Sequence, residues 1–343
     1  MTTPLRIAIA GFRHAHIFDL LNRVEASPGL SLAATREENA GASLMPSKNL
    51  KPSHTGFDAM LAAVDCDIVA LGDCYGKRGS QAIRALRAGR HVIADKPLCT
   101  SLDELGEIES LAREKNLRIG MMLDMRDHGN LIALREVVKS GRIGEVQTVS
   151  FSAQHPLMWG RRPAWYFEPG MHGGTLNDIG IHAMDFLPWV TGLDLAEVVA
   201  ARTWNAKAAE APDFKDCGQF LLRLSNGGGV LGDVSYLAPD QCGFSTDNYW
   251  RITLHGTRGF AETSYNRNGI TVANDASAQP EMIDPATPRP GGYLEDFLAD
   301  VDGHPRPDGR DTSSCLRATR RALELESAAA RQSNIQNPTF KIP

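Results

Sequence analysis

The sequence predicts an α/β protein in two parts: a doubly wound parallel sheet, then an α+β domain with a large, mainly antiparallel, open-faced sheet. Three observations carry this. The first third alternates short apolar runs with helical patterns, and the runs are continuous, as in strands buried on both faces. From Val146 the texture changes to strands separated by turn signals such as Ser225-Asn226-Gly227 and Asn266-Arg267-Asn268-Gly269. A chain of 343 residues is also long enough for two cores. The division is placed at 1–123 and 124–343, with the last helix expected to pack back on the first part.

Taken in order, Leu5 to Ala10 is an apolar strand ending at Gly11, and a helical pattern runs from His14 to Ala26. Ser31 to Thr35 is the second strand. An amphipathic helix from Phe57 to Ala63 and a buried strand from Asp67 to Leu71 follow. A helix from Gly79 to Ala88 is stopped by Gly89. The strand His91 to Ala94, the helix Leu102 to Lys115 and the strand Arg118 to Met122 complete this part. Crossovers in such a sheet are right-handed, and its ligands lie at the carboxyl ends of the strands. Beyond it, Leu131 to Lys139 is a helix. Strands are expected from Val146 to Gln154, Val198 to Trp204, Cys217 to Leu224, Gly229 to Tyr236, Tyr249 to His255, Phe260 to Ser264 and Gly269 to Ala273. A helix from Asp178 to Thr191 packs on one face. The proline-rich stretch from Ser277 to Gly292 reads as a surface excursion. Two helices, Leu294 to Asp302 and Ser313 to Arg331, and a polar tail close the chain.

Composition excludes several classes of function. Hydrophobic residues are 42% and charged residues 22%, ordinary for a globular protein. A net charge of -5 gives no electrostatic case for nucleic acid or for an anionic membrane. The six cysteines form no Cys-x-x-Cys pair and no zinc-ribbon spacing, and read as reduced thiols of a cytoplasmic protein. No apolar stretch approaches the roughly 20 residues of a membrane span, and no signal-peptide pattern opens the chain.

The chemistry concentrates in three places. The first strand-to-helix turn reads Gly11-Phe12-Arg13-His14-Ala15-His16, where a dinucleotide fold shows G-x-G-x-x-G. Only the first glycine is present. A phosphate can still be held by the helix N-terminus and the Arg13 guanidinium; alternatively the side chains fill the space and no dinucleotide enters. The second strand ends Thr35-Arg36, with Glu37 and Glu38 only afterwards; an uncharged residue followed by arginine suits a 2'-phosphate, hence NADP over NAD. An ordinary loop arginine is the other reading. Next, Asp95-Lys96-Pro97 follows a strand and presents a lysine to the ligand crevice. Finally, Gly173-Gly174 runs into a helix with Asp178, His182 and Asp185 at i, i+4 and i+7, which places them on one face. A carboxylate one turn from an imidazole suits proton transfer; a capped helix with a core histidine is the bland alternative.

Ala88-Gly89-Arg90-His91-Val92-Ile93-Ala94-Asp95-Lys96-Pro97 resembles the A-G-K-H-V-x-x-E-K-P stretch of the Gfo/Idh/MocA oxidoreductases. Gly173-Gly174, Asp178, Gly180, His182 and Asp185 resemble that family's G-G-x-x-x-D-x-G-x-H-x-x-D motif. Arg126 and the run from Lys139 to Val146 match in order and spacing. The resemblance implies a Rossmann domain, an α/β domain with a large open sheet, and NAD(P)-linked oxidation or reduction of sugars, cyclitols or related polyols. It implies that Lys96 contacts the reacting oxygen, that His182 is the catalytic histidine, and that Asp178 shares the site with substrate. Departures fall on the cofactor side. Asp95 replaces glutamate, Asp124 stands where asparagine is common, and Asp73-Cys74-Tyr75 replaces T-P-x in a loop that in relatives lies by the nicotinamide.

The expected cofactor residues are Gly11, Phe12, Arg13, His14, Thr35, Arg36, Asp73, Tyr75, Asp95 and Lys96. The expected substrate residues are Asp124, Arg126, His155, Trp165 and Asp178. The segment from Gln154 to His172, with its tryptophans and arginines, reads as a substrate-selecting loop or as a loop that simply covers the core. No resident metal is expected, Asp178, His182 and Asp185 with His172 or His155 being the minority alternative. The rival readings are a non-redox lyase or epimerase and a ligand-sensing protein on a degenerate dehydrogenase fold. The uncovered sheet face predicts a homodimer or homotetramer.

Overall fold

The computed structural model describes residues 3–38 and 51–333. Five parallel strands form the first sheet: β1 (Leu5–Ala10), β2 (Leu30–Arg36), β3 (Ile68–Leu71), β4 (His91–Asp95) and β5 (Ile119–Met122), in the order β2-β1-β3-β4-β5. Helices α1 (His16–Ala26), α2 (Phe57–Ala63), α3 (Tyr75–Arg87) and α4 (Leu102–Glu114) make the crossovers. The fully buried Ile68, Val69, Ala70 and Leu71 show why the strands read as continuous apolar runs. α4 starts at an N-cap, Ser101, whose hydroxyl accepts from the Glu104 amide at 3.1 Å. Two helix starts differ from expectation. α1 begins at His16 rather than His14, because the turn residues make tertiary contacts. α3 begins at Tyr75 rather than Gly79, because Tyr75 and Arg78 are buried against the next strand end.

After α5 (Gly129–Lys139) the second sheet is assembled from β6 (Val146–Pro156), β7 (Leu195–Trp204), β8 (Cys217–Leu224), β9 (Gly229–Ala238), β10 (Arg251–Gly256), β11 (Gly259–Thr263), β12 (Ile270–Asn274) and β13 (Glu281–Ile283). Its order is β13-β12-β11-β10-β6-β9-β8-β7. Every pairing is antiparallel except β6 with β9. β13, three residues at the sheet edge, lies inside the stretch expected to be a surface excursion. Such a short exposed strand has no apolar alternation to read. Helix α6 (Ile181–Thr191) packs on one face of the sheet, and α8 (Thr312–Ser333) packs on β7 and α6 while touching α4 and β5. Helix α7 (Gly292–Val301) returns to the first sheet, where Phe297 joins Ile7, Ile9, Phe18 and Ile93 in one cluster. A second, larger cluster runs from the α3–α4 side of the first sheet into the second.

Candidate active site

The crevice opens where the carboxyl ends of β1 and β4 meet the segment leading into α6. Gly173 (φ +76°) and Gly174 (φ +98°) take left-handed conformations closed to most residues. A Cβ at Gly174 would overlap the Glu326 carboxylate of α8, whose Oε1 accepts from the Leu176 amide at 2.7 Å and the Asn177 amide at 3.1 Å. The chain then makes a π turn over Leu176–Gly180 before continuing as α6.

The π turn corrects the expectation of one shared face. Asp178 and His182 line a cavity of about 290 Å³, but Asp185 does not. It is buried against Arg126 at 2.5 Å and Arg310 at 3.5 Å. Arg126, expected to touch substrate, is spent on Asp185 and does not line the cavity. The same holds for Trp165, which packs edge-on against Tyr75 at 4.9 Å. Asp124 and His155, expected to touch substrate, line it. The minority metal set of Asp178, His182 and Asp185 does not converge.

Lys96 leaves the end of β4 and meets Asp178. Its Nζ donates to Oδ1 at 2.6 Å and to the Asp178 carbonyl at 3.0 Å, with both side chains nearly fully buried. Tyr236 on β9 donates to the other carboxylate oxygen, and its hydroxyl is 2.9 Å from His172 Nε2. Burial alone would raise the Asp178 pKa; the Lys96 ammonium and the His172 hydrogen bond instead hold it well below the usual carboxylate range. Asp178 thus anchors Lys96. Among the described contacts it makes no hydrogen bond to His182, so it does not orient that ring as sequence suggested. Burial, then the nearby Lys96, His16 and His155, push His182 well below its ordinary value, so the ring is neutral. Its Nδ1 is buried without a hydrogen-bond partner, and Trp250 packs on the ring edge at 4.7 Å.

Tyr236 was not among the expected site residues, and His172 was named only in the minority metal set. His172 stands immediately before Gly173-Gly174, a signal available in sequence. Tyr236 sits at the end of an ordinary strand, where nothing marks it. Arg162, with Nε on the Leu157 carbonyl and Nη2 on the Pro156 carbonyl, also lines the cavity, 4.9 Å from the Tyr166 and Tyr236 rings.

On the cofactor side, Gly11 (φ +87°) lies so close to Asp73 that a Cβ would come within 2.5 Å of the Asp73 amide. Phe12 turns into the core, 5.6 Å from Phe18, rather than towards the crevice. Its amide donates to Glu37 at 2.9 Å, and Glu37 also holds Arg13 at 2.8 Å. Thr35 is tied to Ser53. The Arg36 guanidinium is buried and taken by Asp73 (2.7 Å), the Thr55 carbonyl (2.9 Å) and Glu38 (3.3 Å). Tyr75 is fully buried, its hydroxyl 2.9 Å from that of Tyr166. Asp95, also fully buried, contacts His14 at 2.6 Å and His16 at 3.1 Å. Both histidines line the cavity beside Lys96.

Residues 5–123 match the oxidoreductase family with an NAD-binding Rossmann fold, and residues 131–262 match the GFO/IDH/MocA C-terminal domain. The chain belongs to the Gfo/Idh/MocA oxidoreductase family. An inositol 2-dehydrogenase of Rhizobium meliloti is 24% identical over 286 residues, 80% of this chain and 81% of that protein. A 1,5-anhydro-D-fructose reductase of Ensifer adhaerens is 29% identical over 187 residues, 53% of this chain and 55% of the relative. The chain thus spans about half the length of several curated relatives it matches. A solved structure from Erwinia carotovora atroseptica superposes with a TM-score of 0.81 at 25% identity, over 95% of this chain and 98% of that one. The WlbA dehydrogenase of Bordetella pertussis, in complex with NADH and UDP-GlcNAcA, shares the fold (TM-score 0.74, 20% identity, 96% of each chain). This family member therefore carries an NAD-binding Rossmann domain followed by the GFO/IDH/MocA C-terminal domain. Among the described residues no helix is long and apolar enough to cross a membrane.

Proposed function

We propose that the protein transfers hydride between a nicotinamide cofactor and a secondary alcohol or ketone of a monosaccharide- or cyclitol-sized polyol. The observation that carries this is the unpartnered Nδ1 of a neutral His182 beside the Lys96 ammonium in one small cavity. Its volume, about 290 Å³, lies at the small end of the ~300–1,000 Å³ range of ligand pockets and supports a compact substrate.

The residues present fit a dinucleotide. The N-terminus of α1 has no side-chain cap and leaves amide donors for a pyrophosphate. Glu37, just beyond β2, stands at the position where an acid takes ribose hydroxyls, but its carboxylate is buried and held by the Phe12 amide and Arg13. An Arg36 already occupied by Asp73 and Glu38 supports NAD rather than the NADP read from sequence. The cofactor, when bound, supplies the hydride acceptor or donor. His182 takes the hydroxyl proton of the substrate as general base during oxidation. Lys96 donates to the same oxygen and stabilises negative charge developing on it. Asp178, held ionised by Lys96 and hydrogen-bonded by Tyr236, keeps that ammonium in place. Arg162, His155 and Asp124 complete the wall that faces the other hydroxyls.

Assembly through the second sheet fits this reading. A concavity of about 750 Å³ lies on the open sheet face among Phe220, Leu221 and Leu231 and holds none of the proton-handling groups. Leu231 is exposed there, which supports a dimer or tetramer with the face covered. Six free cysteines, five of them buried, support a cytoplasmic setting. Two measurements test the proposal. Fluorescence titration should give tighter NAD than NADP binding. His182→Ala should lower turnover far more than it weakens NAD binding; near-normal turnover in that variant would overturn the assignment.

A further inference from the structure

The turn after β1 carries imidazoles at two positions where backbone alone would serve. Its main chain is already closed without them: the Gly11 amide donates to the Arg36 carbonyl at 2.8 Å and the Arg13 amide to the Gly72 carbonyl at 2.9 Å. His14 and His16 instead converge on a third group from a different strand. Their Nδ1 atoms meet opposite oxygens of Asp95 at 2.6 and 3.1 Å, and the three potential ligand atoms lie within 4.8 Å of one another. Ligands held about 2.0–2.2 Å from a common zinc-sized ion stand roughly 3–3.5 Å apart. The contacts here, 2.6 and 3.1 Å to opposite carboxylate oxygens with all three ligand atoms within 4.8 Å, need only side-chain rotation to reach that spacing.

We propose that His14, His16 and Asp95 bind one divalent transition-metal ion at the edge of the substrate cavity. Two imidazoles and one carboxylate favour a first-row transition ion over calcium or magnesium, which prefer oxygen donors. Three protein ligands leave coordination positions open on the cavity side. The carboxylate is oriented from behind, as second-shell groups orient metal ligands. Arg78, fully buried, donates Nη1 to the carbonyls of Asp95 (2.7 Å) and Lys96 (2.6 Å), and its Nη2 stands 3.5 Å from Asp95 Oδ2. The neighbouring ammonium of Lys96 is paired with Asp178. His16 is 44% exposed at its side chain, and with Asp124 and Tyr265 it lines both the substrate cavity and the adjoining pocket beside α7, an open route for an ion. An ion here would meet adjacent oxygens of a diol or hydroxy acid lying against Lys96.

The inference stands on metal binding alone and needs no turnover. The full-length protein, stripped with chelator and dialysed, is titrated with Zn²⁺ by calorimetry and with Co²⁺ by visible absorbance. The expected result is one equivalent per chain, with a Co²⁺ spectrum showing nitrogen ligation. His14→Ala and His16→Ala should each weaken binding at least tenfold. His16→Asn, which keeps a hydrogen-bond donor for Asp95 but ligates poorly, should do the same while unfolding at the wild-type temperature. His304→Ala, which removes an exposed histidine beside Asp302, should bind as wild type. Absence of stoichiometric binding in the wild type overturns the proposal. So does wild-type affinity in His16→Asn, and the trio is then a hydrogen-bonded pair of imidazoles on one carboxylate.

Discussion

Glu326 holds the start of the segment that carries Asp178 and His182, and its removal tests how that segment is kept in place. The carboxylate accepts from the Leu176 and Asn177 amides, the first donors of the π turn that carries Asp178. Burial raises its pKa from 4.5 to about 7, against the lowering effect of those two amides. A folded state whose carboxyl titrates higher holds a proton that the unfolded chain has released. Between pH 4.5 and about 7, unfolding therefore becomes easier as pH rises, and the loss levels off above that window. At about 1.4 kcal/mol per pH unit the ceiling is about 3 kcal/mol. Glu326 is only half-buried, at the edge of a groove that includes Lys215, so screening brings the expected loss to about 1–2 kcal/mol. Glu326→Gln keeps an oxygen for the two amides and loses the charge. It should match wild type at pH 5 and exceed it by about 1–2 kcal/mol at pH 8, read from urea midpoints with m unchanged. Glu326→Leu, leaving both amides unpaired, should lose about 1–3 kcal/mol at either pH. A Gln variant whose stability runs parallel to wild type from pH 5 to 8 would refute the reasoning.

Three further outcomes follow from the site. Lys96→Met leaves Asp178 buried without its cation: kcat should fall by about 10²-fold or more, and stability should drop by about 3–5 kcal/mol, checked by steady-state kinetics and thermal unfolding. Tyr236→Phe removes one donor to Asp178. The carboxylate then protonates at higher pH, so the acid limb of the kcat profile should move upward while NAD affinity stays within about twofold. Leu231→Asp places a charge on the open sheet face and should shift the assembly towards monomer in light scattering; a monomeric wild type would count against assembly through that face.

The two-part architecture was legible because its signals are local. Continuous apolar runs between helices identified the first sheet, and both family motifs are contiguous stretches whose residues carry recognisable chemistry. Lys96 and His182 were named from such stretches and do line one cavity. β13 was missed because three exposed residues leave no pattern. Asp185 was expected on the face of Asp178 and His182 because helix spacing was taken as regular. The π turn over Leu176–Gly180 shifts the register, sending Asp185 to Arg126 and Arg310 while Asp178 meets Lys96 and Tyr236.

By itself the sequence determined the strand–helix alternation, the change of texture at Val146 and the presence of a lysine and a histidine in recognisable motifs. These depend on side-chain period and on residues close together in the chain. Tertiary structure decided which partners those groups meet. Tyr236 is 58 residues from Asp178, Glu326 is 150 from Leu176, and Asp95 is 81 from His14. The same was true of Arg36, whose sequence position suggested a phosphate ligand until Asp73 was found against it. A charge in a sequence declares only what it can bind. What it does bind is fixed by which strand end the fold brings to it, and burial then makes leaving that partner costly.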